Sequence, residues 1–347
     1  MPRKQESAFV DWRYRPIVIG HLPHEVLPPL VEPLAAARPG LTALQARLLR
    51  LAAVALHDVL QTNVDPEASP GDNEPRHRSA ALPEGLDPPA PLWVAGPRPA
   101  DGRPPIMTGR FIGQLLLQAG VGLLPAASRV FASGRAGLFA ALRHAQANLG
   151  GAGMPQLGVV GGVDSYVDPV RLAALLRDDR LLTEGVQDAF TPGEAAAFML
   201  VATPAACRRY GYAPLAYVDA VGLGREPGHH GSSAPHRGDG LATAVREALD
   251  QRATGASPVR LVMAGLNGER AFAKEWGVAH RRNHRHFAPG LRIEHSAEYI
   301  GDAGAALAPT MLGITALGLR DSVVQGPALV WGSSDFGDCG ALVLTPA

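Results

Sequence analysis

The strongest constraint on the fold is a pair of apolar runs bounded by glycine and proline in the middle of the chain. Leu157-Gly158-Val159-Val160 leads into Gly161-Gly162-Val163-Asp164-Ser165, and Ala195 to Ala202 starts directly after Phe190-Thr191-Pro192-Gly193-Glu194. Short apolar runs with such punctuation read as buried strands. Similar runs recur at Pro16–Gly20, Leu92–Ala95, Ala213–Val221, Val259–Met263, Pro327–Trp331 and Cys339–Thr345. Between them, Leu41–Leu60 carries Leu44, Leu48, Leu49, Leu51, Val54 and Leu56 at helical spacing. Helices are also expected over Gly113–Ala119, Gly137–Leu149, Leu241–Gln251, Arg270–Trp276 and Ala303–Leu319. Strands alternating with helices in both halves predict α/β layers around mostly buried sheets. Asn63 to Pro91 is crowded with Pro, Asp, Glu and Ser and reads as an irregular excursion.

Composition excludes several classes of function. A chain of 347 residues, 46% of them hydrophobic, can bury a large core. Lys+Arg and Asp+Glu balance at 32 each, so no net field recruits nucleic acid or an anionic membrane. No apolar run reaches a bilayer's thickness, and Met1 to Asp11 lacks the apolar stretch of a signal peptide. Cys207 and Cys339 cannot build a disulfide framework. A soluble cytoplasmic protein is the expectation. No nucleophile elbow, Walker loop or dinucleotide fingerprint is present, so no cofactor is expected. His229, His230 and His236 lie in a Gly/Ser/Pro-rich loop; His280, His284, His286 and His295 cluster with Arg281, Arg282, Arg285 and Arg292. Neither spacing fits a metal motif.

The Gly-Gly-Val and Pro-Gly-Glu landmarks together resemble the centre of a β-ketoacyl synthase, a condensing enzyme of the thiolase superfamily. The resemblance covers most of the chain after about Phe131. It implies a thiolase-like α-β-α-β-α fold of two pseudo-equivalent halves. A single domain over 1–347 would then divide into an N-terminal half, 1–204, holding the excursion 63–91, and a C-terminal half, 205–347. The crossover would fall near Thr203 to Tyr210.

At the family's catalytic positions the resemblance places unsuitable residues. Aligning Ala141-Leu142-Arg143-His144-Ala145 with the family's helix puts Arg135 where the nucleophilic cysteine belongs, or Gly134 or Ser133 if the register slips. That cysteine works as a helix-N-terminal thiolate taking an acyl group from a thioester, and an arginine cannot be acylated. Ala264 opens Ala264-Gly265-Leu266-Asn267-Gly268-Glu269, where the first family histidine belongs, and Glu298 falls where the second belongs. Those histidines donate hydrogen bonds to a developing oxyanion, which a carboxylate would repel. Phe336-Gly337-Asp338-Cys339-Gly340 resembles the family's final glycine loop. The resemblance therefore implies no catalytic residues and a pocket lined by Ser133, Gly134, Asn267, Phe336 and Cys339, with Cys339 a packing residue.

What it implies for function is a non-catalytic ketosynthase-like subunit, a homodimer or a heterodimer with a related chain. The turn Asn267-Gly268-Glu269, followed by Glu275-Trp276-Gly277, also resembles small ketosynthase-like proteins associated with bacterial type VI secretion, so the protein partner would be an effector or adaptor of that system, or an acyl carrier protein. The alternative is a working ketosynthase-type acyltransferase, or a chain-length-factor-like partner of one.

Overall fold

The computed structural model describes residues 2–37, 39–60, 82, 86, 89–99 and 105–347, so most of the excursion at 63–91 lies outside the described residues. The chain begins with an antiparallel hairpin, β1 (Arg3–Val10) and β2 (Pro16–His21). There follow α1 (Glu32–Ala35), α2 (Ala43–Leu60), β3 (Leu92–Ala95), α3 (Phe111–Ala119), β4 (Arg129–Phe131), α4 (Gly137–Asn148), β5 (Leu157–Ser165), α5 (Pro169–Arg177), β6 (Glu194–Ala202) and α6 (Pro204–Tyr210). The rest comprises β7 (Ala216–Arg225), α7 (Asp239–Asp250), β8 (Val259–Met263), α8 (Arg270–Arg282), β9 (Phe287–Glu294), α9 (Ala297–Ile300), α10 (Leu307–Arg320), β10 (Ala328–Ser333) and β11 (Asp338–Pro346).

Two sheets share one plan. The first runs β4-β3-β5-β6 and the second β9-β8-β10-β11-β7. In each, the first three strands are parallel and the fourth is antiparallel. Among the described residues β7, antiparallel to β11, has no counterpart in the first sheet. The halves are thus pseudo-equivalent, joined through the short helix α6. Thr203 caps that helix by accepting from the Ala206 N–H at 3.1 Å, and Gly211 ends it in the left-handed region.

Side-chain alternation sorts the strands into five layers. Leu92 and Val94 of β3 with Leu157, Val159 and Val163 of β5 pack under α2 and α3. Trp93 and Val160 face the other way, meeting α4, α10 and Leu342 and Leu344 of the second sheet. Cys339, Ala341 and Val343 of β11 point outward again, under α7 and α8. Helices α4 and α10 are therefore the filling between the sheets. The double glycine lets that filling approach: a Cβ on Gly162 would lie 2.8 Å from the Ala305 oxygen and 3.0 Å from the Ala95 Cβ. A Cβ on Gly137, at the start of α4, would lie 2.8 Å from the Phe131 oxygen.

Three segments differ from the sequence expectation. β1 precedes the expected first strand; its residues are mostly exposed and polar, so no apolar alternation marks it. The His/Arg-rich stretch is the end of α8, a single 3-10 turn and the edge strand β9, half of whose residues are exposed. α5 is amphipathic but short, and starts where Asp168 accepts from the Arg171 N–H at 2.9 Å. Among the described residues no helix is long and apolar enough to cross a membrane.

Candidate functional site

The N-terminus of α4 is where the two halves bring their loops together. β4 ends at Phe131, a 3-10 turn (Gly134–Ala136) follows, and α4 begins, burying Leu138, Phe139, Ala141, Leu142 and Ala145. The turn closes because Gly134 adopts φ +57°, with its N–H donating to the Gly96 oxygen at 3.1 Å. It delivers Arg135 into the interior with 3% of its surface exposed. A cation at a helix N-terminus opposes the helix dipole, so something must hold it there.

Two carboxylates do. Arg135 Nε donates to Asp302 Oδ2 at 2.8 Å, Nη2 donates to the same oxygen, and Nη1 donates to Asp335 Oδ1 at 2.7 Å. Asp302 is wholly buried; its other oxygen accepts from the Gly304 N–H at 2.9 Å. Its backbone is clamped on both sides, donating to the Thr191 oxygen and accepting from the Gly193 N–H, each at 2.8 Å. The Pro-Gly-Glu turn therefore positions Asp302 directly.

A second arginine extends the cluster. Arg180 grips Glu269 in a bidentate pair at 2.6 and 2.8 Å and also donates to Asp335 Oδ1 at 2.9 Å. Asn267 Nδ2 donates to Glu269 Oε2 at 2.9 Å and to Asp302 Oδ2 at 2.8 Å. Phe190 and Phe272 lie 5.6 and 5.2 Å from the Arg135 guanidinium. Burial alone would lower the affinity of Arg135 for its proton, but Asp302 and Asp335 outweigh it and raise it. Burial would likewise raise the Asp335 carboxyl, yet Arg135 and Arg180 hold it well below the usual carboxylate range. Two guanidiniums, three carboxylates and one amide thus satisfy one another.

Further buried pairs support this cluster. Arg47 Nε and Nη2 each reach Glu194 at 2.6 Å, and Glu194 also accepts from the Ser165 hydroxyl at 2.6 Å and the Leu22 N–H at 2.9 Å. Asp164, at the end of the double-glycine strand, pairs with Arg171 at 2.5 Å and accepts from the Ala305 N–H at 2.9 Å.

The residues singled out from the sequence divide sharply. Arg135 and Asn267 meet through Asp302, and a Cβ on Gly134 would lie 3.3 Å from the Ser334 hydroxyl, next to Asp335. Ser133 supplies the carbonyl to which the Ala136 N–H donates. Glu298 is exposed on α9, 3.7 Å from His295; the carboxylate that meets Arg135 is Asp302, four residues on. Ala264 packs into the core under α7 and α8. Cys339 lies in that same outer core, while Gly340 faces α4, so the thiol is on the opposite face of the sheet from the α4 terminus. Burial, with Glu275 nearby, pushes its thiol up, away from thiolate. Phe336 is half-buried, with the Arg98 guanidinium 4.4 Å above its ring. Arg180 and Asp335 went unrecognised in the sequence; both stand in polar segments whose convergence is purely tertiary.

No family model matches the sequence, and no curated protein does. Solved structures do match. The ketosynthase from module 6 of the bacillaene synthase of Bacillus subtilis 168 superposes with a TM-score of 0.70 at 11% identity, over 95% of this chain and 64% of that one. An oxazolomycin ketosynthase domain from Streptomyces albus JA3453 gives 0.62 at 15% identity, over 93% of this chain and 86% of that one. The ishigamide ketosynthase/chain length factor gives 0.58 at 16% identity, over 75% and 76%. The chain spans 56%, 66% and 64% of three of the ketosynthase chains it matches. Identities this low speak to architecture alone. With two sheets of common plan, helices between and outside them, and these superpositions, the chain has the thiolase-like fold of ketosynthases.

Proposed function

We propose that this protein is a non-condensing accessory subunit that uses the ketosynthase fold to bind a protein partner. The observation that carries this reading is the charged cluster at the N-terminus of α4. Arg135 and Asp302 are 3% and 0% exposed and bonded to each other, so the place from which a thiolate would attack is filled by an ion pair. Condensation needs covalent capture of an acyl group and donors for an oxyanion, each contributing several kcal/mol. The cluster has no thiol, and its carboxylates would oppose a developing negative charge. The alternative, a chain-length-factor-like role beside an active ketosynthase, has coarse support in the ketosynthase/chain length factor among the structural neighbours. An adaptor role in type VI effector loading is the other partner class.

The test is direct. Purified protein is incubated with acyl and malonyl thioesters and examined by intact mass and by product analysis. No acyl-enzyme and no condensation product are expected. Acylation abolished by Cys339→Ala, or turnover at an ordinary enzymatic rate, would overturn the reading. Co-purification of an active ketosynthase or acyl carrier protein, against a secretion effector, separates the two partner classes.

A further inference from the structure

The inner face of the second sheet is incompletely filled at its β9 end. Leu261 and Met263 of β8 pack in one cluster with Met311, Leu312 and Leu319 of α10. Their register partners on β9 are Arg292 and Glu294, which therefore share that face. These two pair with each other at 2.6 Å, with side chains 60% and 35% exposed. Their charged ends stay in water and leave the space beside α10 open. Gly318 of α10 has no side chain to close it from the other side. What remains is a cleft of about 210 Å³, walled by Leu261, Met263, Ile314 and Val324 and by Ser296 at the start of α9.

Ser296 is the unusual group on that wall. It holds the position before α9, where a serine hydroxyl ordinarily accepts from a helix N–H. Here the backbone is already helical, with φ −72° and ψ −21°, and the hydroxyl caps nothing. The residue is 7% exposed, and its hydroxyl is buried without a hydrogen-bond partner. Thr315, the other buried hydroxyl residue on the wall, donates to the Met311 oxygen at 2.7 Å. A buried hydroxyl left unpaired costs free energy that a partner would recover. Rotation about the single χ1 bond turns it toward the cleft.

An apolar cavity of about 150 Å³ holds benzene, so this cleft admits a six-membered ring with one or two further heavy atoms. Arg292 and Glu294 cancel each other's charge, and an ionised ligand would lose its hydration against an apolar wall. The same rim, with His295 3.7 Å from Glu298, disfavours a protein partner, because interface centres are depleted of charged groups. A small molecule leaves those charges hydrated. We propose that the cleft binds a small neutral molecule, a monocyclic aromatic of the phenol class. Its ring lies against Leu261, Met263, Ile314 and Val324, with the Met263 thioether as a polarizable contact. Its hydroxyl bonds to the hydroxyl of Ser296. No residue of the charged cluster at α4 lines the cleft, so this site is independent of whether the chain condenses thioesters.

The probes are p-cresol and toluene, which differ by one hydroxyl, with benzoate as the charged control. Each is titrated into the full-length protein while the methyl NMR signals of Leu261, Met263, Ile314 and Val324 are followed. Saturable binding of p-cresol is expected, about fivefold tighter than toluene, with benzoate weaker by about tenfold or more. Ser296→Ala should bind toluene as the parent does and lose the advantage of p-cresol. Ile314→Trp, which fills the cleft from an exposed helix position, should bind neither while keeping the parent's circular dichroism spectrum. If that variant fails to fold, Ser296→Ala decides by itself. The proposal is overturned by a parent that does not bind p-cresol saturably, by equal affinities for the two probes, or by an advantage of p-cresol that survives Ser296→Ala. N-acetyltyrosine amide binding about tenfold or more tighter than p-cresol would also overturn it, because the occupant would then be a tyrosine of a protein partner.

Discussion

Arg135 is stable inside the protein only because of its partners, which makes it the most informative residue to change. Removing one member of a buried pair strands the other charge, at a cost of about 3–5 kcal/mol. Arg135→Ala should therefore lower the melting temperature far more than Arg135→Lys, which keeps the charge but loses the forked contact to Asp302 and Asp335. Arg135→Cys should not create a condensing enzyme: the new thiol would face Asp302 and Asp335, which disfavour a thiolate. Intact mass after exposure to an acyl thioester should show no adduct at residue 135. Asp335 gives a pH test whose sign is fixed. Its folded carboxyl is held below its unfolded value, so its stabilisation is complete above about pH 4 and is lost as pH falls toward the folded value. Asp335→Asn should thus be less stable than the parent at pH 7, and the gap in chemical-denaturation midpoint should close as the pH is lowered below about 4.

Elements hold their positions through close backbone approaches and a few buried acids. Gly162→Val should destabilise through overpacking, by about 1–3 kcal/mol or more, because its side chain would meet Ala305 and Pro309 between the sheets. At the outer layer, Glu275 of α8 accepts from or pairs with His236 Nε2 at 3.0 Å. That hydrogen bond raises the His236 imidazole despite partial burial, with Glu226 adding to the shift and Lys274 opposing it. Its stabilisation is present below the unfolded value near 6.5 and is lost as pH rises through the higher folded value. Glu275→Gln should lower the His236 titration midpoint followed by NMR, and should cost more stability at pH 5.5 than at pH 8.5. The glycine and Pro-Gly-Glu landmarks were legible because close approach and strand entry leave local marks in sequence. β9 was not, since Pro289-Gly290 interrupts the strand and Ile293 is exposed, so its alternation is hidden. That Asp302 and not Glu298 meets Arg135 was not legible, because local spacing cannot tell a carboxylate on an exposed short helix from one that the Thr191–Gly193 clamp turns inward.

At the scale of the whole molecule, the five-layer plan was readable from strand-helix alternation and the family landmarks, while the way its charged loops converge was not, because each loop looks like ordinary polar connection. The remaining question is how copies associate. β4 closes one end of the first sheet, and among the described residues its outer side has no strand partner. The Gly96 N–H donates to the Phe131 oxygen at 3.0 Å, so Arg129 and Phe131 direct their backbone groups toward β3 and Val130 directs its own outward. Antiparallel pairing of two such edges about a two-fold axis would satisfy both copies and remove an aggregation-prone edge. The same geometry would serve a heterodimer with a related chain. We expect sedimentation at micromolar concentration to give a dimer, either of this protein alone or on addition of that chain. Val130→Pro deletes the outward N–H without touching the bonds to β3, so it should yield a folded monomer with an unchanged circular dichroism spectrum. A parent protein that stays monomeric with and without a related chain would rule out this edge as the interface.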